Sequence, residues 1–288
     1  MVIPLKDLNP ARRRPVVTLL LIAANILVFI AFQPRGGDTP TAIEEENRFL
    51  YAHAAVPCEI TTDEPLSLAE IQTGVCGSDA GVGPVIGTPE PFFAGKNVYL
   101  AIFTSMFLHA PWLHLGFNML FLWVFGNNVE DRLGHVGFLL FYAVTGVVAT
   151  LTQVAFDTGS TAPVIGASGA IAGVMGAYLV FWPRARIFGL LFIFPIALPA
   201  NFVLIYWFLT QFLTDTDSGV AWGAHVGGFV AGAIIAFLLR AALRLVEPSA
   251  RRPASTVARE LRRRTPGPAL VRSWRRSRDS TVTPQRLG

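Results

Sequence analysis

Five polar residues stand out because each lies in or beside a long apolar stretch of the chain. His114 and Asn118 are four residues apart and share one helical face, and His109 precedes them. Ser168 opens a second apolar stretch, and His225 lies near the start of a third. Ionisable groups are costly in such surroundings and are functional candidates by default. Because a serine hydroxyl becomes nucleophilic when a base takes its proton, these residues predict nucleophilic attack by Ser168 with His225 as the base.

Attack on a carbonyl also requires donors for the oxyanion that forms. The Ser168 backbone N–H, the Asn118 amide and the His114 ring are the predicted donors. The aspartates nearest in sequence lie in connecting loops: Asp157, Asp215 and Asp217. We therefore expect a Ser168–His225 dyad without a carboxylate. In the alternative interpretation, His114 and Asn118 are polar side chains that satisfy each other between helices.

Glycines flank both members of the predicted dyad. Gly166 and Gly169 lie beside Ser168, and Gly228 and Gly232 follow His225 at a spacing of four. Small residues repeated at that spacing let two membrane helices approach closely. Such close packing is what a hydrogen bond between a serine and a histidine on different helices requires.

The composition argues against an ordinary soluble enzyme. Hydrophobic residues make up 52% of the 288 residues, charged residues 15%, and the mean hydropathy is +0.50. Soluble domains carry about 25% charged residues. A net charge of +4 does not predict specific nucleic-acid binding, because the basic residues flank apolar stretches or fill the tail. Neither a metal nor an organic cofactor is expected, since two histidines and an amide are a poor ligand set.

The predicted fold is all-α, a polytopic membrane bundle of six transmembrane helices. A span needs about 20 mainly apolar residues. The predicted spans are 15–33, 111–127, 136–156, 165–182, 199–213 and 220–240. Prolines divide the two longest apolar stretches, so that 98–110 and 187–197 are expected at the membrane interface.

Basic residues orient the predicted spans. They precede the first span (Lys6, Arg12, Arg13, Arg14), recur at Arg132, Arg184 and Arg186, and fill the tail. The alternate connections are acidic or lack basic residues. The positive-inside rule therefore places both termini in the cytoplasm and predicts a multi-pass integral membrane protein. The first span is expected to remain as a signal anchor.

Five segments follow from this topology: a cytoplasmic N-terminus (1–14), a first transmembrane helix (15–33), a long extracytoplasmic loop (34–97), a core with the remaining helices (98–245) and a disordered Arg-rich cytoplasmic tail (246–288). The tail could contact anionic lipid headgroups. Cys58 and Cys76 both lie in the extracytoplasmic loop. They could form a disulfide there or remain as two free thiols.

Taken together, these motifs resemble the rhomboid family of intramembrane serine proteases over roughly residues 98–240. The matching residues are His109-x4-His114-x3-Asn118, Gly166-x-Ser168-Gly169, Ala224-His225-x2-Gly228-x3-Gly232 and Glu130. The resemblance implies a bacterial-type member in the plasma membrane. It also implies cleavage of transmembrane protein substrates near the extracytoplasmic interface.

The resemblance assigns roles to individual residues. It implies Ser168 as nucleophile, His225 as general base, and His114 and Asn118 as oxyanion stabilisers. Support of the site is implied for five further residues: His109, Gly166, Gly169, Gly228 and Gly232. Span five, with Trp207 and Phe208, is similar to the family's lateral substrate gate. Two positions depart from the pattern: Leu100-Ala101 replaces a Trp-Arg pair, and Ala172 replaces a tyrosine that stacks on the catalytic histidine.

Two other functions compete with proteolysis. A silent relative would bind membrane clients without cleaving them, but such a protein is expected to have lost Ser168 or His225. A transporter or channel usually shows repeated halves and polar residues at the membrane midplane. The polar residues here lie nearer the outer face. The sequence predicts no particular substrate and no oligomeric state.

Overall fold

Helices dominate the structure, a computed structural model that describes residues 2–34, 39–77, 90–213 and 220–246. In chain order the elements are β1 (Val2–Asp7), α1 (Val16–Ala31), α2 (Pro40–His53), α3 (Pro57–Thr62), α4 (Leu68–Thr73), α5 (Leu100–Ser105), α6 (Trp112–Leu133), α7 (His135–Phe156), α8 (Ser168–Phe181), β2 (Arg186–Leu191), β3 (Phe194–Pro199), α9 (Ala200–Gln211) and α10 (Trp222–Val246). Residues up to Arg240 form one compact unit. The predicted disordered tail lies outside the described residues, apart from the end of α10.

Each predicted apolar stretch contains one helix. Two helices within the described residues, α7 and α10, are long and apolar enough to cross a membrane, over His135–Phe156 and Trp222–Ala242. The helices α1 and α8 are apolar but shorter. The count of six spans therefore stays a prediction.

One predicted connection is wrong. The predicted spans 111–127 and 136–156 leave residues 128–135 as a loop between them, but α6 continues to Leu133 and α7 begins at His135. Gly134 alone separates the two helices, with φ of 75°. Its N–H donates to the Glu130 carbonyl oxygen at 2.8 Å and closes the last turn of α6. A glycine with positive φ is a common helix terminator, and here it makes a longer loop unnecessary.

The all-α prediction is also incomplete, because β1, β2 and β3 form an antiparallel sheet in that order. The segment 187–197, expected only to lie at an interface, is most of the β2–β3 hairpin, and the N-terminal segment supplies the third strand. A two-stranded hairpin alone is marginal, so β1 completes the unit. Gly189 permits this pairing, since a Cβ there would lie 2.4 Å from the Ile3 carbonyl oxygen.

The core is built around α8, which is buried without interruption from Gly169 to Tyr178. Its small residues let α10 approach backbone to backbone. A Cβ on Gly232 would lie 2.0 Å from the Gly173 carbonyl oxygen. This is the packing that the spaced glycines predict.

Glu130 joins α6 to the beginning of α1. Its carboxylate accepts hydrogen bonds from the Val17 and Thr18 N–H groups, both at 2.8 Å, and from the Thr18 hydroxyl at 2.6 Å. His135 contacts the same carboxylate through Nδ1 at 2.6 Å. A carboxylate at a helix N-terminus satisfies donors that the helix itself leaves unpaired and interacts favourably with its dipole.

Candidate active site

The approach to Ser168 is shaped by Gly166. Gly166 has φ of 115°, a backbone conformation that residues with a side chain rarely adopt. A Cβ at this position would also lie 2.9 Å from two ring atoms of His114, Cε1 and Nε2. Glycine therefore both turns the chain into α8 and leaves room for the His114 ring.

Ser168 and His225 are directly hydrogen-bonded. Ser168 is the first residue of α8, and His225 lies in the first turn of α10. The distance from His225 Nε2 to Ser168 Oγ is 2.8 Å. The close approach of α8 and α10 makes this contact geometrically accessible. The predicted pair is thus brought together in the geometry of a serine and its base.

His114 and Asn118 line the same cavity as Ser168 and His225. The Asn118 amide donates to the His114 carbonyl oxygen at 3.0 Å, within α6. In the alternative interpretation the two side chains would bond each other. In the structure the Asn118 amide bonds the His114 backbone carbonyl and not the His114 ring. The His114 ring also lies beside Gly166, two residues before Ser168.

His109 lies behind His114 and does not line the cavity. Its side chain is fully buried, and its ring centroid is 5.1 Å from that of His114. Gln33 holds the His109 backbone with both ends of its amide: Gln33 Nε2 donates to the His109 carbonyl oxygen at 2.6 Å, and the His109 N–H donates to Gln33 Oε1 at 2.9 Å. No pattern in the sequence connects Gln33, two residues after the end of α1, with this site.

Gln211 is a residue of the site that was not predicted from the sequence. The distance from its Oε1 to His225 Nδ1 is 2.7 Å. Its Nε2 donates to the Trp207 carbonyl oxygen at 2.9 Å. A polar residue within the apolar stretch 199–213 was the available signal. The centroid of the Trp207 ring lies 5.8 Å from that of the His225 ring. The aromatic neighbour of His225 therefore comes from α9, whereas Ala172 of α8 stands where the family pattern has a tyrosine.

A cavity of about 700 Å³ joins these groups. It lies between α6, α8 and α10, and α9 adds a fourth wall. Its polar lining residues are His114, Asn118, Ser168, Thr210, Gln211 and His225. None of its described lining residues carries a carboxylate, so the site is neutral apart from its histidines. A cavity of this size can hold water and a segment of extended peptide.

No group of three His, Cys, Asp or Glu side chains that could hold a metal ion occurs within the part of the chain that the structure describes. The arrangement offers instead a hydroxyl, an imidazole and hydrogen-bond donors in one cavity. These are the parts that acyl transfer requires.

Residues 39–77, which belong to the predicted extracytoplasmic loop and are called the outer segment, contact the loop that leads into Ser168. The Val164 N–H donates to the Ala55 carbonyl oxygen at 2.8 Å, and the Cys58 N–H donates to the Ser160 carbonyl oxygen at 3.0 Å. Cys58 and Cys76 are joined in a disulfide, the first of the two predicted alternatives. The disulfide therefore closes a segment that pairs with the backbone immediately before α8.

A buried ion pair anchors the end of this outer region. The Lys96 ammonium contacts the Glu59 carboxylate, and each side chain is only 2% exposed. The ammonium also donates to the Tyr51 carbonyl oxygen at 2.7 Å. Burial lowers the pKa of Lys96 from its usual 10.5, although the bond to Glu59 acts in the opposite direction. This pair fastens the chain just before α5, where Leu100 and Ala101 depart from the family pattern.

Several known proteins are similar to this chain. Rhomboid protein 1, mitochondrial, from Saccharomyces cerevisiae is 30% identical over 156 residues, which are 50% of this chain and 43% of that protein. Rhomboid protease GluP from Bacillus subtilis is 30% identical over 171 residues, 58% of this chain and 32% of that protein. Rhomboid protease GlpG from Yersinia pseudotuberculosis is 32% identical over 147 residues, 49% of this chain and 50% of that protein.

The chain therefore spans half or less of the length of these three relatives. A family model described as a rhomboid domain matches residues 96–242. Every residue that lines the cavity falls within that match. The chain belongs to the rhomboid family.

Proposed function

We propose that this protein is an intramembrane serine endopeptidase that cleaves transmembrane protein substrates near the extracytoplasmic interface. The observation that carries the proposal is the 2.8 Å contact between Ser168 Oγ and His225 Nε2 on the wall of a cavity of about 700 Å³. The relatives named as proteases support the same reaction class.

The proposed reaction begins with attack by Ser168 Oγ on the scissile carbonyl carbon. Its proton passes to His225 Nε2, and the carbonyl oxygen becomes an oxyanion. The Ser168 N–H belongs to the first turn of α8, where N–H groups have no intrahelical acceptor. Together with the His114 ring and the Asn118 amide, it is proposed to stabilise the oxyanion.

Collapse of this intermediate breaks the carbon–nitrogen bond. His225 returns the proton to the leaving amine, which leaves an acyl ester on Ser168. A water molecule then attacks the ester with His225 again acting as base, and Ser168 regains its proton as the product carboxylate departs. A cavity with several polar wall residues supports entry of that water, since polar groups at membrane depth are tolerated where they line water.

The proposed setting is a bilayer crossed by six helices, with both termini in the cytoplasm of a bacterium. The basic residues beside α1, between α8 and α9, and in the tail support this orientation. The five segments described from the sequence are proposed on the same basis, with the sheet of β1, β2 and β3 on the cytoplasmic side.

A fluorophosphonate probe tests the proposed chemistry without a known substrate. We expect the purified protein to be labelled, and Ser168→Ala and His225→Ala to abolish labelling. Ser160→Ala is a matched control, because this serine lies in the loop before α8 and does not line the cavity. Labelling of Ser168→Ala at the rate of the unchanged protein would contradict the proposal.

Cleavage separates the protease from a silent client-binding relative. A membrane-anchored model substrate, reconstituted with the protein in liposomes, should be cut by the unchanged protein and not by Ser168→Ala. Client capture without cleavage by either protein would favour the silent relative. We expect the first result, because both Ser168 and His225 are present and in contact.

A further inference from the structure

We infer that Gln211 is a positioning residue that selects the tautomer of His225 and holds its ring toward Ser168. The inference rests on the proposed function and goes beyond it, because the dyad expected from the sequence has no third member. It assigns to a neutral amide on α9 the place that a carboxylate occupies in a Ser-His-Asp triad.

The direction of the Gln211 amide follows from its partner on the other side. The atom that faces the Trp207 carbonyl oxygen, at 2.9 Å, has to be a donor, because a carbonyl oxygen can only accept. The NH₂ group of Gln211 therefore faces Trp207. Its Oε1 is then the atom 2.7 Å from His225 Nδ1.

The His225 tautomer follows in turn. Since Gln211 Oε1 can only accept, His225 Nδ1 carries the proton of the neutral ring. Nε2 is then an acceptor, and it lies 2.8 Å from Ser168 Oγ. A backbone carbonyl thus fixes an amide, the amide fixes the imidazole, and the imidazole is left ready to take the serine proton.

A neutral amide suits this cavity better than a carboxylate. An isolated carboxylate among apolar residues has a large desolvation cost, and Gln211 is only 7% exposed. The amide keeps its bond to Nδ1–H when His225 becomes an imidazolium, although it adds no negative charge. Gln211 therefore orients the base without the cost of burying a second ion.

Both contacts that orient His225 come from the same helix. Gln211 ends α9, and Trp207, one turn earlier, packs its ring against the imidazole. From other helices, His225 meets Ser168 of α8 and interacts with His114 of α6. From α7, Gln153 Oε1 accepts from the N–H of Ala224, the residue before His225. His114 is the one titratable side chain that faces His225 among these described neighbours.

The test compares Gln211→Met with Gln211→Glu in the full-length protein, using the rate of fluorophosphonate labelling as a function of pH. Methionine keeps the length of the side chain but cannot accept from Nδ1. We expect labelling to fall on the order of 10- to 100-fold, part of the rate that general-base catalysis contributes. Glutamate keeps the acceptor, so it should restore most of the labelling that methionine loses.

Glutamate also gives a readout that a purely structural role would not produce. The new carboxylate would stabilise the imidazolium form of His225, so the acidic limb of the pH profile should move to higher pH. When Gln211→Glu is combined with His114→Ala, the acidic limb should still move to higher pH. Unchanged labelling in Gln211→Met, or equal losses in both variants with no movement of the limb, would overturn the inference.

The proposed function can fail separately. If Ser168→Ala is still labelled, the nucleophile is wrong whatever Gln211 does. If Ser168→Ala is not labelled and Gln211→Met is labelled at the full rate, the proposed nucleophile is supported and the role of Gln211 is refuted. If Gln211→Met does not fold, the movement of the acidic limb in Gln211→Glu still decides the question.

Discussion

Gly228 of α10 lies against Gly169 of α8 so closely that a Cβ on Gly228 would stand 2.0 Å from the Gly169 carbonyl oxygen. Gly169 directly follows Ser168, and Gly228 lies three residues after His225, so each glycine is within one helical turn of a residue of the pair. The backbone contact thus sets the distance across which Ser168 and His225 are hydrogen-bonded.

Gly228→Ala should push α10 away from α8 and lengthen the Ser168–His225 contact. We expect a stability loss of about 1–3 kcal/mol from overpacking. Fluorophosphonate labelling should fall by at least about tenfold, because a serine that is out of reach of its base is not activated. Thermal unfolding and labelling rates measure the two effects.

Gly116→Ala is the matched control, because a Cβ on this α6 glycine would meet no atom within 4 Å. An alanine there should be neutral or stabilising by about 0.4–1 kcal/mol. If both glycine variants retain full labelling, the distance between the helices does not limit the reaction.

The disulfide between Cys58 and Cys76 should support the loop before Ser168. It closes a segment with a sequence separation of 18 residues. Its loss should cost about 3 kcal/mol in the stability of that segment. In a Cys58→Ser/Cys76→Ser variant, we expect faster hydrogen exchange at the backbone N–H groups of Val164 and of the serine at position 58, and slower labelling of Ser168.

A reducing agent supplies the control for this prediction. It should slow labelling of the unchanged protein and have no further effect on the double variant. If reduction accelerates exchange at Cys58 but leaves Val164 and the labelling rate unchanged, the outer segment and the nucleophile loop are independent.

The sequence predicted those parts of the site that depend on local pattern. Apolar length located the helices, prolines divided them, and the spaced glycines on α8 and α10 indicated which pair would approach closely. From these signals alone Ser168 and His225 were expected to meet. The grouping of His114 and Asn118 on one face followed from their spacing of four.

The residues that the sequence did not predict depend on how distant elements pack. Gln211 meets His225 only because α9 is rotated to place that side chain inward. Gln33 reaches His109 from 76 positions away. The β1 strand pairs with β2, which lies far from it in the sequence, and no local pattern in either segment indicates which strand it will pair with.

Glu130 should contribute to stability and not to the chemistry. Its carboxylate is 1% exposed and lies outside the residues that line the cavity. Glu130→Ala would leave the Val17 and Thr18 N–H groups without this acceptor, with an expected loss of about 3 kcal/mol. The labelling rate per folded molecule should stay within about twofold, since no group of the cavity is removed.

A double-mutant cycle with Thr18→Ala isolates the interaction. The Thr18 hydroxyl bonds Glu130 at 2.6 Å, so the two substitutions should be non-additive by about 1 kcal/mol or more. Additive losses of stability would mean that Glu130 acts through its other partners. His135, whose Nδ1 contacts the same carboxylate, would be the next residue to substitute.

The outer segment should also loosen in acid through Glu70. Burial alone would raise the pKa of this carboxyl, but hydrogen bonds from the Ser67 and Gly77 N–H groups and the Ser67 hydroxyl outweigh it and lower the pKa from its usual 4.5. A carboxyl whose pKa is lower in the folded state stabilises that state above its unfolded pKa. The stabilisation is lost as the pH falls through the folded value.

The predicted window therefore begins near pH 4.5 and extends downward. Hydrogen exchange across α4, corrected for the intrinsic dependence on pH, should show opening in that window. Glu70→Gln removes the charged end of the capping box with Ser67, and should cost about 1 kcal/mol at pH 7. Because the variant has no carboxyl to protonate, its α4 exchange should show no transition below pH 4.5, and a transition that persists would assign the acid sensitivity to another group.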